Sequence, residues 1–126
     1  MRRKDQLVEG QTYHIFNRSI AEFKIFNSDD DFRRMLHLLA FFQIKEPPSS
    51  FSVYIKLKKV QREGFEKCFA LIAKDQIKIV QIVAYCLMPT HIHLTLEQLS
   101  PDGISTFMGN ILNSYTRYFN VKHRRK

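Results

Sequence analysis

Apolar and polar residues change period several times along this chain, and each change marks an element. Thr12 to Arg18 (TYHIFNR) is rich in residues that favour pleated backbone and alternates Tyr13 and Ile15 with His14 and Phe16, which predicts a strand. Ser28 followed by Asp29, Asp30 and Asp31 predicts a helix start: the hydroxyl accepts a first-turn N–H, and the acids lie at the positive end of the helix dipole. Phe32, Met35, Leu36, Leu39 and Ala40 then recur at helical spacing and carry one apolar face as far as about Gln43. Arg33, Arg34 and His37 take the other side, and the helical phase makes His37 a solvated or rim residue with no assigned role.

Glu46-Pro47-Pro48-Ser49-Ser50 interrupts the helix, since proline removes a donor and restricts its predecessor. Phe51, Val53, Ile55 and Leu57 alternate with Ser52, Tyr54, Lys56 and Lys58, a period of two that predicts a short strand or an extended connector. Helical spacing returns with Gln61, Phe65, Cys68, Phe69 and Ile72, predicting a helix near 59–75 that covers the sheet, with Gly64 as its weak point. Ile77 to Leu87 (IKIVQIVAYCL) and His91 to Glu97 (HIHLTLE) predict adjacent strands, joined tightly through Met88, Pro89 and Thr90, as the hairpin at the centre of an antiparallel sheet. Beyond the turn at Pro101, Asp102 and Gly103, the positions Ile104, Phe107, Met108, Ile111, Leu112, Tyr115 and Phe119 predict a long amphipathic helix to about Asn120. Asn110, Asn113, Ser114 and Arg117 lie on its other face, and VKHRRK follows as a basic run.

These elements make an α+β chain, and 126 residues fit one domain, 1–126. An apolar fraction of 44%, with eleven Phe, fills a modest core without disulfides. Cys68 and Cys86 form no CxxC pair, so neither a zinc knuckle nor a disulfide framework is indicated, and a reduced, cytoplasmic setting is expected. Neither an apolar leader segment nor a run long enough to span a membrane occurs. The excess of 20 Lys and Arg over 12 Asp and Glu, a net charge of +8, makes polyanions the natural partner, nucleic acid ahead of an anionic membrane surface.

The densest chemistry is His91-Ile92-His93. The two-residue period of a strand puts both imidazoles on one face while Ile92, Leu94 and Leu96 point into the core. Such a pair can chelate a divalent metal or meet a phosphate, and it can equally be two histidines on a polar face. Glu97 shares the face but lies far along the strand for a third ligand, and His14 reaches the same face if its strand is adjacent, or else is a polar core residue.

Around the pair, three strings occur in order: Tyr13-His14-Ile15-Phe16-Asn17-Arg18, then Asp29 to Phe32 at a helix start, then Ala84-Tyr85-Cys86-Leu87-Met88-Pro89-Thr90-His91-Ile92-His93-Leu94. With Ser114-Tyr115-Thr116-Arg117-Tyr118-Phe119-Asn120 on the last helix, the chain resembles over nearly its whole length the HUH single-strand DNA transposases, particularly the REP-associated tyrosine transposases. Thr90 departs from the Asn common at that position in the family.

The resemblance implies a ferredoxin-like antiparallel sheet with helices packed on one face, whose central hairpin presents His91 and His93 to Mg²⁺ or Mn²⁺. It implies DNA transposition by cutting and rejoining single-stranded DNA at hairpin-bearing ends, through a tyrosine that attacks the phosphate, takes the 5′-phosphate as a phosphotyrosine and frees a 3′-OH. The partner is single-stranded or hairpin DNA, a homodimer is one assembly the family allows, and the location is cytoplasmic, at the nucleoid when DNA is bound. In the family the nucleophile stands further on, in a Tyr-x-x-x-Asn-Pro string that this chain lacks. Three readings follow: a piece of a longer transposase, a natural form that binds hairpin DNA or regulates without cutting, or Tyr118 or Tyr115 acting as substitute nucleophile. Arg18, Arg117, Lys122, Arg124 and Arg125 are the expected DNA contacts, with Arg2, Arg3 and Lys4 as further candidates, although each alone is also an ordinary solubilising charge.

Overall fold

The computed structural model describes residues 7–19 and 23–123. Its elements run β1 (Thr12–Arg18), α1 (Asp29–Phe41), α2 (Phe51–Ile55), α3 (Lys58–Glu63), α4 (Phe65–Ala73), β2 (Val80–Met88), β3 (His91–Gln98) and α5 (Gly103–Lys122). The three strands form one antiparallel sheet in the order β1-β3-β2, with helices packed against it, an α+β architecture. The centre is therefore β3 alone, and β2 is an edge strand rather than half of a central hairpin.

Strict alternation in β3 decides which face is the core. Ile92, Leu94, Leu96 and Gln98 are buried, while His91, His93, Thr95 and Glu97 are half-buried. The buried side meets Met35 and Leu38 of α1 and Ile104, Phe107 and Ile111 of α5 in one connected apolar cluster. Each such side chain contributes about 1.5–3 kcal/mol by leaving water, so a one-residue slip of β3, which would turn all of them outward, is strongly disfavoured. Gln98 is buried with its hydrogen bonds made: its amide donates to the Leu7 carbonyl at 2.9 Å, and its Oε1 accepts from the Ile104 N–H at 3.0 Å. That one side chain ties the sheet to the entry of α5.

Ser28 caps α1, its side chain accepting from the Asp31 N–H at 3.4 Å. Asp31 does more than face the dipole: it is fully buried and accepts from the Asn27 N–H at 2.9 Å, the Tyr118 hydroxyl at 2.8 Å and the Lys122 ammonium at 2.8 Å. The start of α1 is thereby fastened to the end of α5.

Residues 51–57 do not form the strand that their alternation predicts. Ser50 caps a short helix by accepting from the Val53 N–H at 3.3 Å, and a helical turn puts Phe51 and Tyr54 together against Phe41, leaving Val53 and Leu57 exposed. Burial of two rings on α1 outweighs a period of two over so short a stretch. The helix predicted over 59–75 breaks at Gly64, whose φ of 95° is available to glycine and strained for other residues. Its second half, α4, packs on α1, with Phe69 against Phe41 and the His37 imidazole stacked on Phe65 and 2.8 Å from Glu66. His37 thus braces two helices. Ile77 is exposed, and the strand begins at Val80, after the Ile79 N–H has bonded to the Gln43 carbonyl at 2.8 Å.

Both cysteines are free, Cys68 buried and Cys86 exposed. No helix among the described residues is long and apolar enough to cross a membrane.

Candidate metal and nucleic-acid site

Antiparallel register assembles the outward face of the sheet. Arg18, Phe16 and His14 of β1 stand opposite His91, His93 and Thr95 of β3, and on the other side Met88 and Cys86 of β2 oppose His91 and His93. His14, Phe16, Arg18, Cys86 and Met88 are exposed, so no helix among the described residues covers this face. The strand of His14 is indeed adjacent, which settles its direction: it faces out with the histidine pair.

The turn that delivers the histidines is held from behind. The Pro89 carbonyl accepts from the Ile25 N–H at 2.8 Å, and the Thr90 carbonyl accepts from the Ser19 N–H at 2.9 Å. Backbone from the segment between β1 and α1 therefore fixes the point where β3 begins.

Ring contacts order the face. The His91 and His93 ring centroids lie 5.0 Å apart with the rings nearly perpendicular, Phe16 packs 4.6 Å from His93 and 5.4 Å from His91, and Arg18 sits 5.3 Å over Phe16. Polar contacts hold each imidazole at Nδ1 or Nε2: His91 Nδ1 is 3.1 Å from Thr90 Oγ1, His93 Nδ1 is 3.2 Å from His14 Nε2, and His14 Nδ1 is 3.4 Å from Thr95 Oγ1. Loss of hydration, followed by the charges of His91 and His14, pushes the His93 imidazole below its ordinary value, favouring the neutral form that ligates metals.

His91 and His93, side by side on a rigid strand, would supply two imidazole ligands to a divalent cation, a partial set. Among the described residues no group of three or more His, Cys, Asp or Glu is arranged to hold a metal ion. Glu97, paired with Thr12 and Gln81 at the far end of β3, lies away from the histidines.

The two candidate tyrosines are not brought to this face. Both lie on α5, which packs on the buried side of the sheet. The Tyr115 hydroxyl donates to the Ile25 carbonyl, and burial together with the nearby Asp31 charge drives its pKa far up. The Tyr118 hydroxyl donates to Asp31, and burial first, then that hydrogen bond, raises it too. Both hydroxyls brace α5 and are poorly disposed to ionise.

The expected DNA contacts divide between the two sides. Arg18 is beside the histidines, across from His91. Arg117 and Lys122 instead line a groove of about 710 Å³ between α1, α2 and α5, the helical side of the molecule and not the histidine face that the end of α5 was expected to join. Lys122 is also committed to Asp31 at 2.8 Å, an ion pair with a structural use. Arg124 and Arg125, with Arg2, Arg3 and Lys4, lie outside the described residues.

Sequence reasoning passed over Thr90 and Thr95 as partners of the imidazoles and assigned no purpose to Arg34. A signal for Thr95 was present, since it shares the outward phase of His91 and His93. No protein-family model matches the chain, and no curated protein and no solved structure matches it.

Proposed function

We propose that this chain is the metal- and DNA-binding domain of an HUH-type single-strand DNA transposase, with a ferredoxin-like sheet presenting His91 and His93 to Mg²⁺ or Mn²⁺. The observation that carries this reading is the outward histidine pair on the central strand, each ring engaged at Nδ1 by a neighbour, which leaves Nε2 for a metal in the tautomer protonated at Nδ1. A bound divalent cation supplies polarisation of a scissile phosphodiester and stabilises charge developing on its oxygens. His91 and His93 would hold it, Arg18 across from His91 offers a cation to an adjoining phosphate, and Phe16 offers an exposed flat ring on which a base can stack.

The nucleophile in this reading is a tyrosine on a further segment, because the hydroxyls of Tyr115 and Tyr118 are engaged on the other side of the sheet. That same observation favours the second reading, a DNA-hairpin-binding relative or regulator that does not cut.

The test is to incubate the gene product, read through to its stop codon, with labelled single-stranded hairpin DNA and Mn²⁺. A covalent protein–DNA adduct that disappears in His91→Ala/His93→Ala supports the transposase. DNA binding without an adduct supports the binding-only reading, and an adduct indifferent to the double substitution overturns the metal assignment.

A further inference from the structure

Among the described residues, Arg34 has no carboxylate within ion-pair distance. Its guanidinium carbon lies 4.8 Å from the centre of the Phe51 ring and 4.6 Å from that of Tyr118, and its Nε is buried with no hydrogen-bond partner. The neighbouring acids are already used: Asp30 pairs with Arg33 at 2.8 Å, and Asp31 pairs with Lys122 at 2.8 Å. Burial lowers the pKa of Arg34, as expected for a cation partly removed from water without a carboxylate beside it. Two aromatic faces fix the plane of the guanidinium and compensate part of that loss.

It lines the groove between α1, α2 and α5 and, on its other side, an open recess that also holds Asp30, Arg33 and His37. The lining of the groove includes Lys56, Arg117 and Lys122 and contains no Asp or Glu. Asn110, Asn113 and Arg117 project into it from successive turns of α5, a polar strip about 10 Å long at the helical rise of ~1.5 Å per residue. A single inorganic phosphate would occupy only part of that length. An extended polyanion with hydrogen-bonding groups between its charges uses all of it.

We propose that this groove binds the backbone of a single DNA strand, with the ring-clamped guanidinium of Arg34 as the anchor for one phosphate, Arg117 as a second contact, and Asn110 and Asn113 bonding the sugar or base edges between. The proposal rests on reading the chain as a single-strand DNA-binding protein, and it adds a strand site on the side of the sheet away from the histidines. Its consequence is that affinity and metal chemistry are separable: Arg34 governs retention of the strand, while His91 and His93 govern what happens to it.

Fluorescence anisotropy with a labelled, unstructured DNA strand tests this, run against salt for wild type, Arg34→Gln and Lys67→Gln, beside thermal unfolding of each. Arg34→Gln is expected to weaken binding about tenfold and to flatten the slope of log affinity against log salt by about 0.7, the value for one phosphate contact on a single strand. Lys67→Gln, at an exposed position of α4 outside the groove, should keep the wild-type slope. An unaltered affinity and slope in folded Arg34→Gln would make Arg34 a brace for α2 and overturn the proposal. If Arg34→Gln does not fold, Arg117→Gln at an exposed position carries the same expectation, and a wild-type slope there counts against the groove. Inorganic phosphate that competes at millimolar concentration while nucleoside monophosphate and strand bind no better would assign the groove to free phosphate and overturn the strand. If the wild-type chain has no affinity for single-stranded DNA, the functional reading itself fails, whereas wild-type affinity indifferent to both arginines removes the groove alone.

Discussion

His14 Nε2 lies 3.2 Å from His93 Nδ1, so a residue of β1 decides which nitrogen of a β3 imidazole is free. In the arrangement that leaves both ligand Nε2 lone pairs for a cation, His93 donates from Nδ1 to His14, His14 donates from its own Nδ1 to Thr95, and His91 donates from Nδ1 to Thr90. Outer partners of this kind orient metal-binding histidines and commonly matter about 10–100-fold in metal affinity. His14 is on this account a positioning residue. In long-range nitrogen–proton NMR spectra taken without metal, above the imidazole titration range, His93 should be the Nδ1–H tautomer. His14→Phe should move it towards Nε2–H and weaken Mn²⁺ binding by about 10-fold or more, and His14→Gln, which restores an acceptor, should recover part of both. An unchanged His93 tautomer in His14→Phe would remove His14 from this role.

Thr90 lies in the tight turn and reaches His91 Nδ1 at 3.1 Å, a contact that a hydroxyl or a side-chain amide oxygen can make and a methyl group cannot. Thr90→Val should therefore free the His91 ring and lower Mn²⁺ affinity by about 10-fold, whereas Thr90→Asn, which keeps a side-chain oxygen as acceptor, should bind nearly as wild type. Calorimetric titration with Mn²⁺ distinguishes the pair. Equal affinities for the Val and Asn variants would show that the backbone of the turn positions His91 unaided.

The legible parts of this molecule are those in which one local rule acts alone. β1 was readable because alternation and β-branched or aromatic residues agree, and β3 because its buried and outward positions never break phase. Residues 51–57 were misread because two periodicities coexist there, and the choice between them depends on Phe41, a partner remote in sequence. The histidine pair was legible as an outward pair, since a strand's phase fixes direction. His14 was not, because its membership of the face depends on the order β1-β3-β2, which no local pattern contains. The same holds for Arg34: its phase on α1 says outward, and only the packing of α2 and α5 turns outward into a clamp between Phe51 and Tyr118.

Gly103 is required by a close approach. A Cβ at this position would stand 2.2 Å from the Ile79 carbonyl oxygen, a backbone atom that cannot turn aside. That carbonyl also accepts from the Leu99 N–H at 2.9 Å, so moving it disturbs the link between β3 and the approach to β2. Gly103→Ala is expected to destabilise the fold by about 1–3 kcal/mol, the usual cost of forced overpacking. Gly109→Ala, where nothing lies within 4 Å of the added carbon, should be neutral or mildly stabilising in the middle of α5. Urea unfolding of the two variants checks the contrast, and equal midpoints would mean that the entry of α5 can relax.

Asp31 makes the stability of the fold depend on acid. Its burial tends to raise the pKa, but hydrogen bonds from Lys122, the Asn27 N–H and Tyr118 outweigh that and hold the carboxyl at about 2 against an ordinary 3.8. Because the folded value is the lower one, ionised Asp31 stabilises the native state above about pH 4, and this contribution is lost as the pH falls from there through about 2. The two pKa values correspond to about 2 kcal/mol. Asp31→Asn keeps the shape but leaves Lys122 without its carboxylate, and removal of one partner from a buried pair commonly costs about 3–5 kcal/mol; here Lys122 is partly solvated, so the lower end is expected. Thermal unfolding followed from neutral pH downward should show wild type well above Asp31→Asn at first, with the gap narrowing steadily between about pH 4 and pH 2 as Asp31 is protonated. Parallel curves across that interval would mean that other carboxylates, and not the clasp between α1 and α5, set the acid limit.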